Sequence, residues 1–221
     1  MERVLIACGL LRDELELAME NRKVHLPVHW IEGGLHDRPA RLRQAVQEKI
    51  DQCQDAETIL LGYGFCGGSM EGVNSRNTRL VLPRFHDCIQ ALGTVTKEKP
   101  WTPEGGCLYL TSTMMESERA TDRQFVQLVE RYGQDKARWI YQTMYSGYHG
   151  CSLMDTGVRP VDCLMPRAQA ISRVLELPLT TVPASVRVLE KLLAQEWDEE
   201  FLVLEPGQAV PPLGTLFFQT T

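Results

Sequence analysis

Cysteine is the most conspicuous chemistry-bearing residue of this chain, with seven copies among 221 residues. An odd number of cysteines argues against a framework of disulfide bonds. In a reducing compartment, thiols serve as core residues, metal ligands or nucleophiles. Three of them, Cys8, Cys66 and Cys88, stand where strand-like segments end in turns. His86 adds an imidazole two residues before Cys88.

Three thiols and an imidazole are a typical ligand set for a soft metal. Zinc binds Cys and His in tetrahedral sites, and a catalytic zinc keeps one position open. Three thiolates equally suit an iron–sulfur cluster with one iron that is not bound by cysteine. We therefore predict a metal site of Cys8, Cys66, His86 and Cys88, with zinc favoured over a cluster. The spacing leaves a second interpretation open, in which these thiols are small buried core residues.

The segment Gly62-Tyr63-Gly64-Phe65-Cys66-Gly67-Gly68 is rich in glycine but does not have the pattern of a phosphate-binding loop. It lacks the Gly-Lys-Ser/Thr of a P-loop and the full G-x-G-x-x-G spacing before a helix. We interpret the glycines as allowing close backbone approach around Cys66. A covalent role for Cys66 with His86 as base is an alternative, although a metal-free cysteine hydrolase leaves Cys8 and Cys88 without a role.

Short apolar segments alternate along the chain with segments of helical period. This pattern is typical of an α/β fold with a largely parallel sheet flanked by helices, and we expect a Rossmann-like arrangement. The predicted strands are 4–7, 24–30, 58–61, 80–82, 107–110, 152–154 and 201–204, and the predicted helices are 10–21, 40–53, 89–92, 121–132, 135–145, 166–175 and 184–195.

The polar, proline-containing stretch 96–105 is the best candidate for a domain boundary. It predicts two lobes of similar make-up, 1–95 with the Cys/His site and 106–221, with a cleft between them. A single domain spanning 1–221 is the alternative.

Further polar residues follow predicted strands or turns and are candidates for the same site. Ligands of open α/β sheets bind at the carboxyl ends of the strands, where such residues converge. Asp87 and Asp155 are predicted catalytic acids or bases. Arg84 would hold an anionic substrate group, and the Thr111 hydroxyl and the His36 imidazole would contact the substrate.

Composition limits the classes of partner. The formal net charge of −6 argues against nucleic-acid binding, which favours a basic surface. No apolar run approaches the ~20 residues needed to cross a bilayer. The first residues run into a strand-like segment without the plan of a secretory signal. We therefore expect a cytoplasmic protein that acts on a small molecule, with no membrane or nucleic-acid partner.

Several motifs together resemble a bacterial and archaeal domain-of-unknown-function family, numbered 1638. They are Ala-Cys-Gly at 7–9, Leu-His-Asp-Arg-Pro at 35–39, Leu-Gly-Tyr-Gly-Phe-Cys-Gly at 61–67, Pro-Arg-Phe-His-Asp-Cys-Ile at 83–89, Leu-Met-Asp-Thr-Gly at 153–157 and Phe-Leu-Val-Leu-Glu-Pro-Gly at 201–207. The resemblance covers nearly the whole chain. It breaks after Thr111, where Thr113-Met114-Met115 replaces the Gly-Trp of the family pattern.

The resemblance implies a place in one-carbon metabolism, because family members lie near genes for corrinoid methyltransferases and corrinoid proteins. Either of these is the implied protein partner. Zinc–thiolate methyltransferases, which bind zinc through a His-x-Cys pair and a distant Cys, offer a chemical parallel to His86 and Cys88. The first hypothesis is therefore a metal-dependent transferase. The alternatives are a non-catalytic metal- or corrinoid-handling accessory protein and the metal-free hydrolase.

We predict that Asp155→Asn keeps full metal content and an unchanged melting temperature but loses turnover or substrate binding. A carboxylate suits proton transfer better than capture of a thiophilic metal. Metal analysis, thermal melting and binding of a candidate thiol or corrinoid protein check this together. Loss of metal would make Asp155 a ligand, and no change at all would make it an ordinary turn residue.

Overall fold

The computed structural model describes residues 2–217, in which helices and strands alternate as expected. In chain order they are β1 (Arg3–Cys8), α1 (Arg12–Arg22), β2 (Val28–Ile31), α2 (Pro39–Gln52), β3 (Thr58–Gly62), β4 (Arg79–Pro83), α3 (Cys88–Gly93), β5 (Cys107–Leu110), α4 (Ser112–Glu116), α5 (Thr121–Tyr132), α6 (Gln134–Met144), β6 (Gly150–Asp155), α7 (Val161–Leu175), β7 (Leu179–Pro183), α8 (Arg187–Ala194), β8 (Phe201–Leu204) and α9 (Leu213–Phe217).

The chain divides into two compact units, each with its own sheet. Residues 93–185 form unit 2, and the described residues on either side form unit 1. The first boundary lies close to the expected one, but the chain after residue 185 belongs to unit 1 and not to a second lobe running from 106 to 221. The physical reason is that β8 pairs with β4 and α8 packs against α1.

The sheet of unit 1 has the strand order β2-β1-β3-β4-β8. The first four strands are parallel, and β8 is antiparallel to β4. All five residues of β3 are buried, as expected for a central strand covered on both faces. On α2, Leu42, Val46 and Ile50 recur every four residues and pack into the core of this unit.

Unit 2 contains a parallel sheet of order β5-β6-β7. The predicted α/β class, with largely parallel sheets flanked by helices, is confirmed and is compatible with a Rossmann-like fold. Several local features differ from the expectation. Strand β7 and helices α4 and α9 were not predicted, and β2 begins at Val28. Helix α7 begins at Val161, so that Pro166 lies inside the helix and not at its first turn.

In residues 2–217, no helix combines the length and apolar character that crossing a membrane requires.

Candidate functional site

The three cysteines singled out from the sequence come from the carboxyl ends of three neighbouring strands. Cys8 is the last residue of β1, Cys66 follows β3, and Cys88 opens α3 after β4. Strand β3 lies between β1 and β4 in the sheet. The Cys88 thiol interacts electrostatically with both of the other thiols. The structure therefore brings the three thiols of the prediction into one cluster, which we call the thiol site.

Two main-chain hydrogen bonds join the loops that follow β3 and β4. The Phe65 N–H donates to the Phe85 carbonyl at 2.9 Å, and the Cys66 N–H donates to the His86 carbonyl at 2.8 Å. These bonds lie beyond the ends of β3 and β4, so the two loops remain hydrogen-bonded to each other after the strand pairing has ended. Cys66 and Cys88 are thus positioned by backbone contacts.

Gly64 lets these two loops approach each other. A β-carbon at this position would lie 2.6 Å from the Asp87 Cα atom, a distance that real Cβ atoms do not reach. Beyond it the chain turns sharply, with φ of 42° at Cys66, 67° at Gly67 and 82° at Gly68. A left-handed conformation costs a non-glycine residue about 1–2 kcal/mol. The surrounding loop therefore holds Cys66 in a conformation that the residue alone disfavours.

The side chain of Arg43, on α2, forms hydrogen bonds with the main chain of this turn. Its Nη2 donates to the Gly68 carbonyl at 2.8 Å, and its Nε lies 3.4 Å from the Ser69 carbonyl. The Ser69 hydroxyl donates to the Phe65 carbonyl at 3.2 Å. Arg43 is a supporting residue that the sequence analysis missed.

The thiol of Cys66 is protonated at neutral pH. Burial, followed by the negative charges that Cys8 and Asp87 can carry, raises its pKa to about 12. Backbone N–H groups of Gly64 and Cys88 donate to its sulfur and offset part of this rise.

The other two thiols are shifted in the same direction. Burial raises the pKa of the Cys88 thiol well above its ordinary value, and Cys66, Cys8, Asp87 and Glu14 add to the shift. Burial also raises the pKa of the Cys8 thiol, against a smaller effect from a backbone N–H. Every neighbouring side chain that shifts these three thiols is itself an acid.

Glu14 is a site residue that the sequence analysis missed. It lies on α1 and is fully buried. Leu11, Leu15 and Ala18, which are spaced on one face of a helix, are buried as well. A glutamate on this apolar face is an exception to the usual pattern, and that exception was the available signal.

Tyr63 is the second missed residue. It is only 3% exposed, and its hydroxyl has no hydrogen-bond partner among residues 2–217. Burial raises its pKa, and so do Cys8, Cys66 and Cys88, which places its hydroxyl beside the thiol site. In the sequence Tyr63 stands between Gly62 and Gly64, and the glycines of this segment gave no indication that its ring is buried.

Asp87 and His86, adjacent in sequence, have different surroundings. The Asp87 carboxylate accepts a hydrogen bond from the Gln90 N–H at 2.8 Å and caps the start of α3. It also contributes to the raised pKa values of Cys66 and Cys88. His86 is exposed. The roles of both residues in catalysis and metal binding stay predictions.

Two predicted substrate-binding residues of unit 1 are nearer the surface. The His36 side chain is 47% exposed, and its Nε2 lies 3.4 Å from Asp37 Oδ1. Arg84 is half-buried, and its backbone N–H donates to the Glu200 carbonyl at 2.7 Å. Their proposed contacts with substrate stay predictions.

Thr111 and Asp155 lie in unit 2. Thr111 is buried and caps α4, where its hydroxyl accepts a hydrogen bond from the Met114 N–H at 3.4 Å. Asp155 is exposed at the end of β6, and its main-chain carbonyl accepts a hydrogen bond from the Ala184 N–H. Both residues end strands as expected, and their roles toward substrate stay predictions.

The four remaining cysteines are free thiols outside this cluster. Cys53 and Cys151 are buried in the cores of their units. Cys163 is exposed on α7.

The thiol site does not have the arrangement of a metal site as it stands. In the described part of the chain, no three His, Cys, Asp or Glu side chains are placed so that they could hold a metal ion together. Its donors are nevertheless of the kind that soft metals prefer. The Tyr63 hydroxyl beside them adds a buried polar group that needs a partner.

Fold and site together define an α/β protein with a cluster of thiols at the carboxyl edge of a parallel sheet. The chain belongs to the family described as a protein of unknown function, DUF1638, whose model matches residues 30–193. This confirms the resemblance carried by the sequence motifs. The matched region includes Cys66, Tyr63 and Cys88 and begins after Cys8. No curated protein and no solved structure matches the chain.

We predict that Gly64→Ala lowers the free energy of unfolding by about 1–3 kcal/mol, because the new methyl group meets the backbone of Asp87. Cys66 and Cys88 should also become more accessible to alkylation. Gly147→Ala is the control, since a β-carbon there meets no atom within 4 Å. Urea unfolding measures the change, and equal stability of the two variants would contradict the prediction.

We also predict that Cys66 alkylates slowly in the metal-free protein. A pKa of about 12 leaves roughly a thousandfold less thiolate at pH 7 than the ordinary value of 9.0. The rate should therefore still rise about tenfold per pH unit between pH 8 and 10. Peptide mass spectrometry after iodoacetamide treatment follows this rate beside that of the exposed Cys163. A rate that levels off near pH 9 would disagree with the raised pKa.

Proposed function

We propose that the protein is a cytoplasmic, metal-dependent transferase in which Cys8, Cys66 and Cys88 bind a thiophilic metal ion. Zinc is the favoured metal, and an iron–sulfur cluster is the alternative with the same donors. The reaction we propose is methyl or one-carbon transfer that involves a thiol. A corrinoid protein or a methyltransferase is the proposed partner, in keeping with the family resemblance.

The observation that carries this proposal is the purely acidic neighbourhood of the three thiols. Burial raises the pKa of all three thiols. Cys8 and Asp87 raise the pKa of Cys66 further, and Cys66, Cys8, Asp87 and Glu14 raise that of Cys88 further. Losing a proton from one thiol makes loss from the next harder. A bound cation removes this repulsion and favours the thiolate form of each ligand. The site is therefore suited to a positive charge that the surrounding side chains do not supply.

The arrangement of the neutral thiols does not exclude metal binding, because coordination changes their charge. A protonated thiol is not a ligand, and metal binding displaces its proton. Cys66 and Cys88 are held by backbone contacts, and we propose that their side chains would rotate on metal binding. Three protein ligands would leave one tetrahedral position for a substrate, which favours an enzyme over a storage or carrier protein.

A metal-free cysteine hydrolase is less well supported. A nucleophilic cysteine needs a lowered pKa and a nearby base. Here burial and acidic neighbours raise the pKa of Cys66, and His86 lies exposed at the surface.

Bound zinc would hold a substrate thiol as its thiolate near neutral pH. Other residues of the chain would position the cysteine ligands of this metal. The cap formed by Asp87 fixes the first turn of α3 and with it Cys88. The two hydrogen bonds between the loops fix Cys66 beside it. Glu14 and Asp87 keep the neighbourhood acidic, which stabilises the metal cation.

The test is anaerobic purification followed by metal analysis and an absorption spectrum. We expect about one zinc per chain and a colourless protein. A brown protein with iron and sulfide would indicate a cluster on the same cysteines. Single changes of Cys8, Cys66 or Cys88 to Ser should lower the metal content. Cys53→Ser, which alters a buried thiol in the core of the same unit, should not.

Equal metal loss in all four variants would mean that Cys8, Cys66 and Cys88 are not the specific ligands of the metal. Absence of metal from the wild-type protein, after purification and after loading with zinc, would overturn the proposed function. If the metal is zinc, its release should increase as the pH falls, since protons compete for the thiolates.

A further inference from the structure

A cleft lies in unit 2, among helices α5, α6 and α7. Its volume is about 270 Å³, which is enough for a small molecule, since one water molecule needs only about 10–15 Å³ by the same measure. The residues that line it are Phe125, Arg138, Ala170, Arg173, Val174 and Glu176. None of them belongs to the thiol site, so an inference from this cleft does not depend on the proposed function.

The apolar lining residues are held in position by their own neighbours. The Phe125 ring packs edge to face with the Tyr141 ring, at 5.0 Å between the ring centroids. The Tyr141 hydroxyl donates to the Thr121 carbonyl at 2.7 Å, so the second ring is fixed as well. Ala170 and Val174 are four residues apart on α7 and therefore lie on the same side of that helix. The cleft thus has a preformed apolar surface.

Two of the three charged lining residues pair with each other. Arg138 Nε lies 3.8 Å from Glu176 Oε1. Glu176 caps the end of α7 in a left-handed conformation, with φ of 58°, and its N–H donates to the Arg173 carbonyl at 3.3 Å. The helix end therefore sets the position of Glu176, and the positive charge of Arg138 is balanced by this carboxylate.

Arg173 is the remaining charged residue of the cleft, and it is unpaired. It is exposed, and within residues 2–217 its guanidinium has no hydrogen bond or ion pair. It follows Ala170 by three residues, so both lie on the same side of α7. A guanidinium offers parallel N–H groups that match the two oxygens of a carboxylate. The cleft therefore combines an apolar surface with one cation that is available to a ligand.

We propose that this cleft binds a small organic carboxylate with an aromatic body. The Arg173 guanidinium pairs with the carboxylate, and Phe125, Ala170 and Val174 contact the aromatic ring. Two arginines and one glutamate leave one net positive charge on the lining, which favours a monoanion over a cation. A ring is favoured over a flexible chain because it packs against Phe125 at a smaller cost in conformational entropy.

The experiment measures the binding of phenylacetate to the full-length protein by calorimetry. We expect phenylacetamide, a neutral molecule of the same shape, to bind at least tenfold more weakly, because hydrogen bonds between charged partners are the stronger ones. Arg173→Gln should weaken phenylacetate binding about tenfold for the same reason. Arg76→Gln is the matched control and should leave the affinity unchanged. Arg76 is also exposed and without a partner in the described part of the chain, but it lies in unit 1.

Two further variants test the rest of the lining. Ala170→Leu fills part of the cleft and should weaken phenylacetate binding at least tenfold. Leucine and alanine are both strong helix formers, so the ligand-free protein should keep its melting temperature. Glu176→Gln removes the carboxylate that balances Arg138, and phenylacetate should then bind more tightly than it does to wild type.

Several outcomes would overturn the inference. They are the absence of phenylacetate binding to wild type, equal affinities for phenylacetate and phenylacetamide, and equal affinities of wild type and Arg173→Gln. Undiminished binding to Ala170→Leu would place the ligand outside the cleft and would overturn it as well. Weaker binding to Glu176→Gln would mean that this carboxylate attracts the ligand, contrary to the proposed anion. The metal analysis of the thiol site concerns other residues, so the two proposals fail independently.

Discussion

The thiol site depends on the pair of main-chain hydrogen bonds between the loops that follow β3 and β4. They set Cys66 next to Cys88 and keep Cys66 in a left-handed backbone conformation. The close approach is available only because Gly64 has no side chain to meet Asp87. Backbone geometry, and not side-chain attraction, brings the thiols together. That distinction matters because neutral thiols attract one another only weakly.

The second constraint is electrostatic. Burial removes the hydration that would stabilise a thiolate, and each acidic neighbour adds to the penalty. The metal-free site is therefore a cluster of protonated thiols. Asp87 contributes to both the geometry and the electrostatics of the site. Its carboxylate caps α3, and it also raises the pKa values of Cys66 and Cys88. A cation is the simplest group that would satisfy all of these acids at once, which is why the metal proposal agrees with the chemistry of the surroundings.

The sequence predicted the fold class and the position of Cys8, Cys66 and Cys88 at the ends of strands, because both follow from the alternation of strands and helices. It could not predict features that depend on contacts between distant segments. The pairing of β8 with β4 is not encoded locally, so the unit to which the chain end belongs was missed. His86 lies exposed in the loop before α3, whereas Cys88 is the first residue of that helix, and the spacing of the two residues does not reveal this difference. Glu14 had a sequence signal in its position on an apolar helix face, whereas Tyr63 became visible only through its burial.

The discontinuous path of unit 1 has a consequence for the protein while it is being synthesised. All three cysteines of the site leave the ribosome early, whereas β8 follows the whole of unit 2. At ordinary translation rates of 5–20 residues per second, the interval between β4 and β8 lasts roughly 6–24 s. During this time the edge of β4 has no partner strand, and exposed edges pair readily with other chains. Leu189, which lines one small cavity together with Cys88, is also missing until that residue has been added. The packing around Cys88 is thus completed only near the end of synthesis.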